Sequence, residues 1–255
     1  IAPMVIDMLN LGEQMKQTID YYGHYTEATQ DYTEYGIQDK IDTAEGQALL
    51  KIIDPFEYRK VLTMPKLILL GAGDQYWTID SANLYFNQLK GPTYIRYEPN
   101  TDHGIENSMP SIMALANFYY SVVNGDALPE FDWEFDVDGS FEVTAKTAPK
   151  GVYLWTALAP TMDFRLKTVG KVWANVALEA AEDSVYRGQV FAPETGFAAY
   201  FVEVVYPGPL GMDYSFTTQI AIPGKEIPGK AMISITALLL PLLLVVGGVV
   251  WMVRR

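Results

Sequence analysis

The chain has 255 residues, with 49% hydrophobic and 19% charged side chains, which is the composition of a folded protein rather than a disordered one. Its 31 acidic and 18 basic groups leave a net charge of −13, so a polyanion such as nucleic acid is a poor partner. Cysteine is absent, which excludes disulfides, thiol catalysis and cysteine metal sites, and His24 and His103 alone cannot build a three-histidine metal centre.

The opening run Ile1 to Ile6 has the apolar character of a short strand. Residues 11–60 are rich in tyrosine, glutamine and acids and fit helices and loops inserted between strands, a lid-like insertion. Leu67 to Leu70 is a second apolar run, ending in Gly71-Ala72-Gly73-Asp74. Ser81 to Leu89 carries Leu84, Tyr85 and Leu89 at helical spacing after a serine cap. Thr93 to Glu98 reads as a third strand, and Ser111 to Val123 as a helix closing near Asn124-Gly125. Alternation of strand and helix predicts an α/β layer with a parallel sheet over residues 1–125.

Residues 126–222 have a different texture. Segments 141–146, 151–158, 171–178, 185–192, 198–206 and 214–222 are strand-like and separated by turn residues, which predicts an antiparallel β-sandwich. Pro223-Gly224 and Pro228-Gly229 mark residues 223–230 as a linker. Ala231 to Val253 carries no charge and predicts a transmembrane helix of roughly 35 Å at about 1.5 Å per residue, followed by the basic tail Arg254-Arg255. The expected arrangement is a single-pass type I protein. The bulk of the chain lies on the non-cytoplasmic side, the bilayer is a partner, and Gly247-Gly248 permits contact with other membrane subunits. A tail-anchored protein with a cytosolic body is the alternative.

The chemistry concentrates at two strand ends. Asp74 follows the second apolar run and His103 follows the third, in Asn100-Thr101-Asp102-His103-Gly104. In open α/β sheets, functional groups gather at the carboxyl ends of strands. In α/β-hydrolases an acid precedes the histidine in chain order, and it holds the imidazole in the tautomer that activates a serine. Asp74 and His103 fit those roles; a capping aspartate and a structural histidine are the plainer readings. No serine of the chain has the flanking glycines of a G-x-S-x-G elbow. The expectation is therefore that the nucleophile lies upstream of Ile1. Gly71-Ala72-Gly73 lacks the spacing of a nucleotide loop, and no cofactor or metal is implied.

Other side chains have two readings each. Tyr76 and Trp77 fit a pocket lining or the core, and Asp80 and Asp102 fit loop or capping carboxylates. Tyr21, Tyr22, Tyr25, Tyr32 and Tyr35 fit a lid over a cleft or an interface between chains. His24 fits the surface, and Asp163-Phe164-Arg165 fits a structural ion pair.

Several blocks resemble the PhoPQ-activated pathogenicity-related proteins, a branch of the α/β-hydrolase superfamily. They are residues 1–10, 31–37, 52–105, 154–165 and 195–207, beginning IAPMVIDMLN and including LILLGAGDQYW and NTDHGI. The resemblance implies the C-terminal part of a hydrolase domain followed by a β-sandwich, and it implies Asp74 and His103 as acid and base. Members are usually exported, the substrate is left open, and a membrane anchor is not part of the pattern. Two functions follow as expectations. One is a membrane-anchored serine hydrolase of ester or peptide bonds. The other is a non-catalytic accessory or structural subunit that keeps the scaffold.

Overall fold

The computed structural model describes residues 10–105, 108–228, 241–246 and 249–254. The expected first strand, Ile1 to Ile6, lies outside them. Residues 11–60 form α1 (Leu11–Tyr22), α2 (Gln30–Glu34), α3 (Ile37–Lys40) and α4 (Ala44–Ile53), joined by loops and short turns. Asp54 fixes the start of α1: its carboxylate accepts the Leu11 and Asn10 N–H groups at 2.7 and 3.2 Å.

β1 (Lys66–Gly71) and β2 (Thr93–Glu98) are parallel neighbours, with Ile68 opposite Ile95. The connection between them is not the expected α-helix but two 3₁₀ turns, Ser81–Leu84 and Phe86–Gln88. Tertiary hydrogen bonds outweigh the local helical pattern there. Buried Asn83 donates to the Ile220 carbonyl at 2.9 Å and accepts from Gln219 at 2.8 Å. α5 (Met109–Asn124) begins where the Ser108 hydroxyl accepts the Ser111 N–H, and it stops at Gly125, whose φ of 72° suits a residue without a Cβ.

The later chain supplies β3 (Phe131–Phe135), β4 (Ser140–Ala145), β5 (Gly151–Ala159), α6 (Leu166–Val169), β6 (Ala174–Ala177), β7 (Val185–Val190), β8 (Phe197–Tyr206) and β9 (Tyr214–Thr217). One six-stranded sheet runs β1-β2-β9-β8-β5-β6, and all its pairs after β1-β2 are antiparallel. The parallel pair and the antiparallel strands thus share one sheet. Its two faces bury different cores. Ala199 and Phe201 of β8 join Ile68, Ile95 and Tyr97 on one side. Tyr200, Val202 and Val204 join Phe141 and Val143 of the second sheet on the other. Strand alternation puts consecutive β8 residues on opposite faces, so β8 is buried on both.

The second sheet contains β3, β4 and β7 and continues into β10 (Pro241–Val246) and β11 (Val249–Arg254), in the order β10-β11-β7-β4-β3. This corrects the expected transmembrane helix over 231–253. Pro241 pairs with Arg254 and Val246 with Val249 in an antiparallel ladder, and Trp251 pairs with Val190 of β7. Residues 231–240 lie outside the described residues. Among the described residues no helix is long and apolar enough to cross a membrane. The fold class is mixed α/β without the added membrane helix, and the single-pass type I placement falls with it. The physical reason is that a valine- and leucine-rich run without periodicity suits a strand as well as a helix.

Candidate active site

The two residues singled out at strand ends meet. His103 Nδ1 lies 2.7 Å from Asp74 Oδ2. Parallel pairing of β1 and β2 brings this about. With the strands in register from Lys66–Thr93 to Gly71–Glu98, both chains leave the sheet at the same edge. The two loops are then stitched together: the Ala72 N–H donates to Glu98 O and the Gly73 N–H to Thr101 O, both at 2.9 Å. Gly71 is required at this seam, because a Cβ there would stand 2.0 Å from the Asp102 carbonyl oxygen.

Each member of the pair is held from a second direction. Asp74 Oδ1 accepts the Tyr76 N–H at 2.6 Å, which turns the carboxylate toward the histidine. The His103 N–H donates to Gln75 Oε1 at 2.9 Å, and the Tyr76 ring packs on the imidazole at 4.5 Å between centroids. Asp74 is buried, with its side chain 7% exposed, while that of His103 is 30% exposed. The approach to the histidine loop is set by Asn100, whose φ is 58°. Its side chain clamps Trp173 twice, accepting the Trp173 N–H and donating to its carbonyl, both at 2.9 Å. Asparagine tolerates this left-handed conformation better than most residues.

The other candidates separate. Asp102 caps the loop as expected, accepting the Gly104 N–H at 3.0 Å. Asp80 does not cap the following turn; it is buried and receives the Tyr21 hydroxyl at 2.6 Å. Burial raises the Asp80 carboxyl above the ordinary aspartate range, and it raises the Tyr21 hydroxyl too. Trp77 belongs to a small core with Leu11, Met15 and Ile41 and stacks on Tyr32, whereas Tyr76 touches the histidine. Tyr35 and His24 are on the surface. Asp163 and Arg165 form the expected ion pair, bidentate at 2.8 and 2.6 Å. Among the described residues no group of three or more acidic or histidine side chains could hold a metal ion. Sequence reasoning did not find Gln75 and Asn100. Their only trace was adjacency to Asp74 and the Pro-Asn turn before His103.

A parallel strand pair that presents a buried carboxylate to a half-exposed imidazole lies wholly inside a stretch with known relatives. The PhoPQ-activated pathogenicity-related protein family matches residues 1–165, and the chain belongs to that family. It is also similar to autocrine proliferation repressor protein A of Dictyostelium discoideum, at 26% identity over 255 residues, covering 89% of this chain and 52% of the relative. The chain therefore spans about half the length of the curated relative it matches. No solved structure matches it.

Proposed function

We propose that the chain carries the acid and base of an α/β-hydrolase-type serine hydrolase acting on ester, peptide or similar acyl bonds. The carrying observation is the 2.7 Å contact between Asp74 Oδ2 and His103 Nδ1 at the carboxyl ends of adjacent parallel strands. With Nδ1 protonated and donating to Asp74, Nε2 is the nitrogen that takes the proton from an attacking serine and returns it to the leaving group. Asp74 supplies orientation and stabilises the imidazolium; it does not itself take the proton. The serine lies upstream of Ile1 in this reading, and a relative about twice as long leaves room for such a segment.

The test is fluorophosphonate labelling of the full-length protein with the labelled peptide identified by mass spectrometry. The expected result is one labelled serine outside residues 1–255, with labelling slowed about a thousandfold or more in His103→Ala and Asp74→Asn. A second reading keeps the scaffold for binding alone. It is favoured by the relative's name, which describes repression of proliferation and no chemical reaction. Folded, full-length protein that takes no label would establish it over the first.

A further inference from the structure

Arg165 is buried, 4% exposed, and its guanidinium is only partly used. Nε and Nη2 grip both oxygens of Asp163, and the Thr168 hydroxyl holds Asp163 from the other side at 2.9 Å. Nη1 is enclosed and makes no hydrogen bond. The guanidinium lies over the Tyr22 ring, 4.3 Å from its centroid, and the enclosed Tyr22 hydroxyl also makes no hydrogen bond. Burial first, then the charges of Asp163, Asp80 and Asp74, raise the Tyr22 hydroxyl well above its ordinary range against the opposing pull of Arg165, so it keeps its proton. Two buried donors without a hydrogen-bond partner therefore belong to one stacked pair of side chains, and buried polar atoms in that condition ask for a partner.

That place is tied to the Asp74 loop. The Leu166 N–H donates to the Gly73 carbonyl at 2.9 Å, so Arg165 and Asp74 are each one residue from the same hydrogen bond. A third feature names the chemistry. Glu27 Oε2 stands 3.8 Å from Arg165 Nη1, beyond hydrogen-bond length, while Glu27 itself is exposed and pairs with Lys167. A carboxylate already stands near the enclosed nitrogen without hydrogen-bonding to it.

We propose that Arg165 Nη1 and the Tyr22 hydroxyl form a carboxylate-binding subsite beside the Asp74–His103 pair, with Glu27 as the internal carboxylate that competes for it. A guanidinium edge matches a carboxylate in geometry and charge. A neutral ligand leaves the buried donors unpaired, so discrimination against it is large. Only the use of the subsite in selecting substrates, those with a carboxylate near the scissile bond, rests on the hydrolase reading; the binding itself does not.

The experiment has two arms on the full-length protein. In the first, succinate is titrated calorimetrically. Glu27→Gln should tighten binding several-fold, Tyr22→Phe should weaken it several-fold, and Arg165→Met should weaken it about tenfold or more. The first two variants change no buried charge and keep the test valid where Arg165→Met fails to fold. Absence of succinate binding, or equal affinity in wild type, Glu27→Gln and Tyr22→Phe, overturns the subsite. In the second arm, p-nitrophenyl hemisuccinate is compared with p-nitrophenyl butyrate. A preference of about tenfold or more for the hemisuccinate, falling toward one in Tyr22→Phe, supports the subsite in catalysis. Hydrolysis of both esters without preference overturns that role and leaves the hydrolase reading intact. Succinate binding with the expected variant pattern, in folded protein that turns over neither ester and takes no fluorophosphonate label, supports the subsite and overturns the hydrolase reading.

Discussion

Gly71 shows how narrowly single residues hold the site. It is the last residue of β1, and the Asp102 carbonyl passes where its side chain would be. Gly71→Ala forces backbone against Cβ, and neither can swing aside as a flexible side chain would. The substitution should cost about 1–3 kcal/mol and move the His103 loop off Asp74. A fall in thermal midpoint is the expected result, accompanied under the hydrolase proposal by lost fluorophosphonate labelling; an unchanged midpoint would show that the loop is not seated as described. The meeting of Asp74 and His103 was legible in the sequence because each follows an expected strand, and parallel strands deliver their ends to one edge. Their supports were not legible. Gln75 acts through its side-chain oxygen, Tyr76 through both its N–H and its ring, and Asn100 through a positive φ, none of which has a spacing signature. Arg165 was legible as half of an ion pair, but its unused nitrogen depends on where Tyr22 comes to lie from a distant helix.

At the scale of elements, the weakest seam is between β2 and β9, which share the single register pair Ile95–Thr217. A buried ionic network joins them instead. Arg96 contacts Glu203 at 2.9 Å, Glu98 at 3.0 Å and the Ser215 hydroxyl, and Glu203 also receives Trp155 Nε1 at 2.8 Å. Removing the one cation leaves two buried carboxylates facing each other, so Arg96→Met should cost about 3–5 kcal/mol in urea unfolding. The pH dependence has a definite sign. Burial pushes the Glu203 carboxyl up, but Arg96 and the hydrogen bonds from Ser215 and Trp155 outweigh it and hold it below its ordinary value of 4.5. A depressed folded-state value stabilises above the unfolded pKa and loses that stabilisation as pH falls through the folded one. Glu203→Gln should therefore be less stable than wild type at pH 7, with the gap narrowing below about pH 4.5. Urea midpoints across that range measure it, and a gap independent of pH would contradict the assignment. The same network explains why α5 was legible as a helix but not in its orientation. Ser111 donates to Glu98 at 2.8 Å, so the helix turns Ser111, Ala114, Asn117 and Ser121 inward while Met109, Ile112, Leu115 and Tyr119 stay exposed. Periodicity identifies a helix; what the sheet beneath presents decides which face goes in.

For the molecule as a whole, the texture change near residue 126 was legible, but the unity of the sheet was not, because β9 returns from far along the chain to lie beside β2. The run after residue 230 reads two ways for a related reason: absence of charge suits a strand paired in a sheet as well as a helix in a bilayer. Without β11, strand β7 would be an open edge of the second sheet, and an apolar hairpin laid along it satisfies the backbone there. The two arrangements differ sharply in distance. A continuous helix would separate residues 241 and 254 by about 20 Å, whereas the hairpin pairs them directly. It also sets Met252 opposite Gln189 of β7. Because the chain has no cysteine, the double substitution Gln189→Cys and Met252→Cys introduces the two thiols alone. Opposed residues of adjacent antiparallel strands have Cβ atoms about 4.5–5.5 Å apart, close enough for small backbone adjustments to bring the sulfurs into bonding range. Mild oxidation should give an intramolecular cross-link, read as a mobility shift on non-reducing gels and as a 189–252 linked peptide by mass spectrometry. Each single-cysteine variant should give none. Failure to cross-link in folded protein would remove the hairpin from the edge of β7.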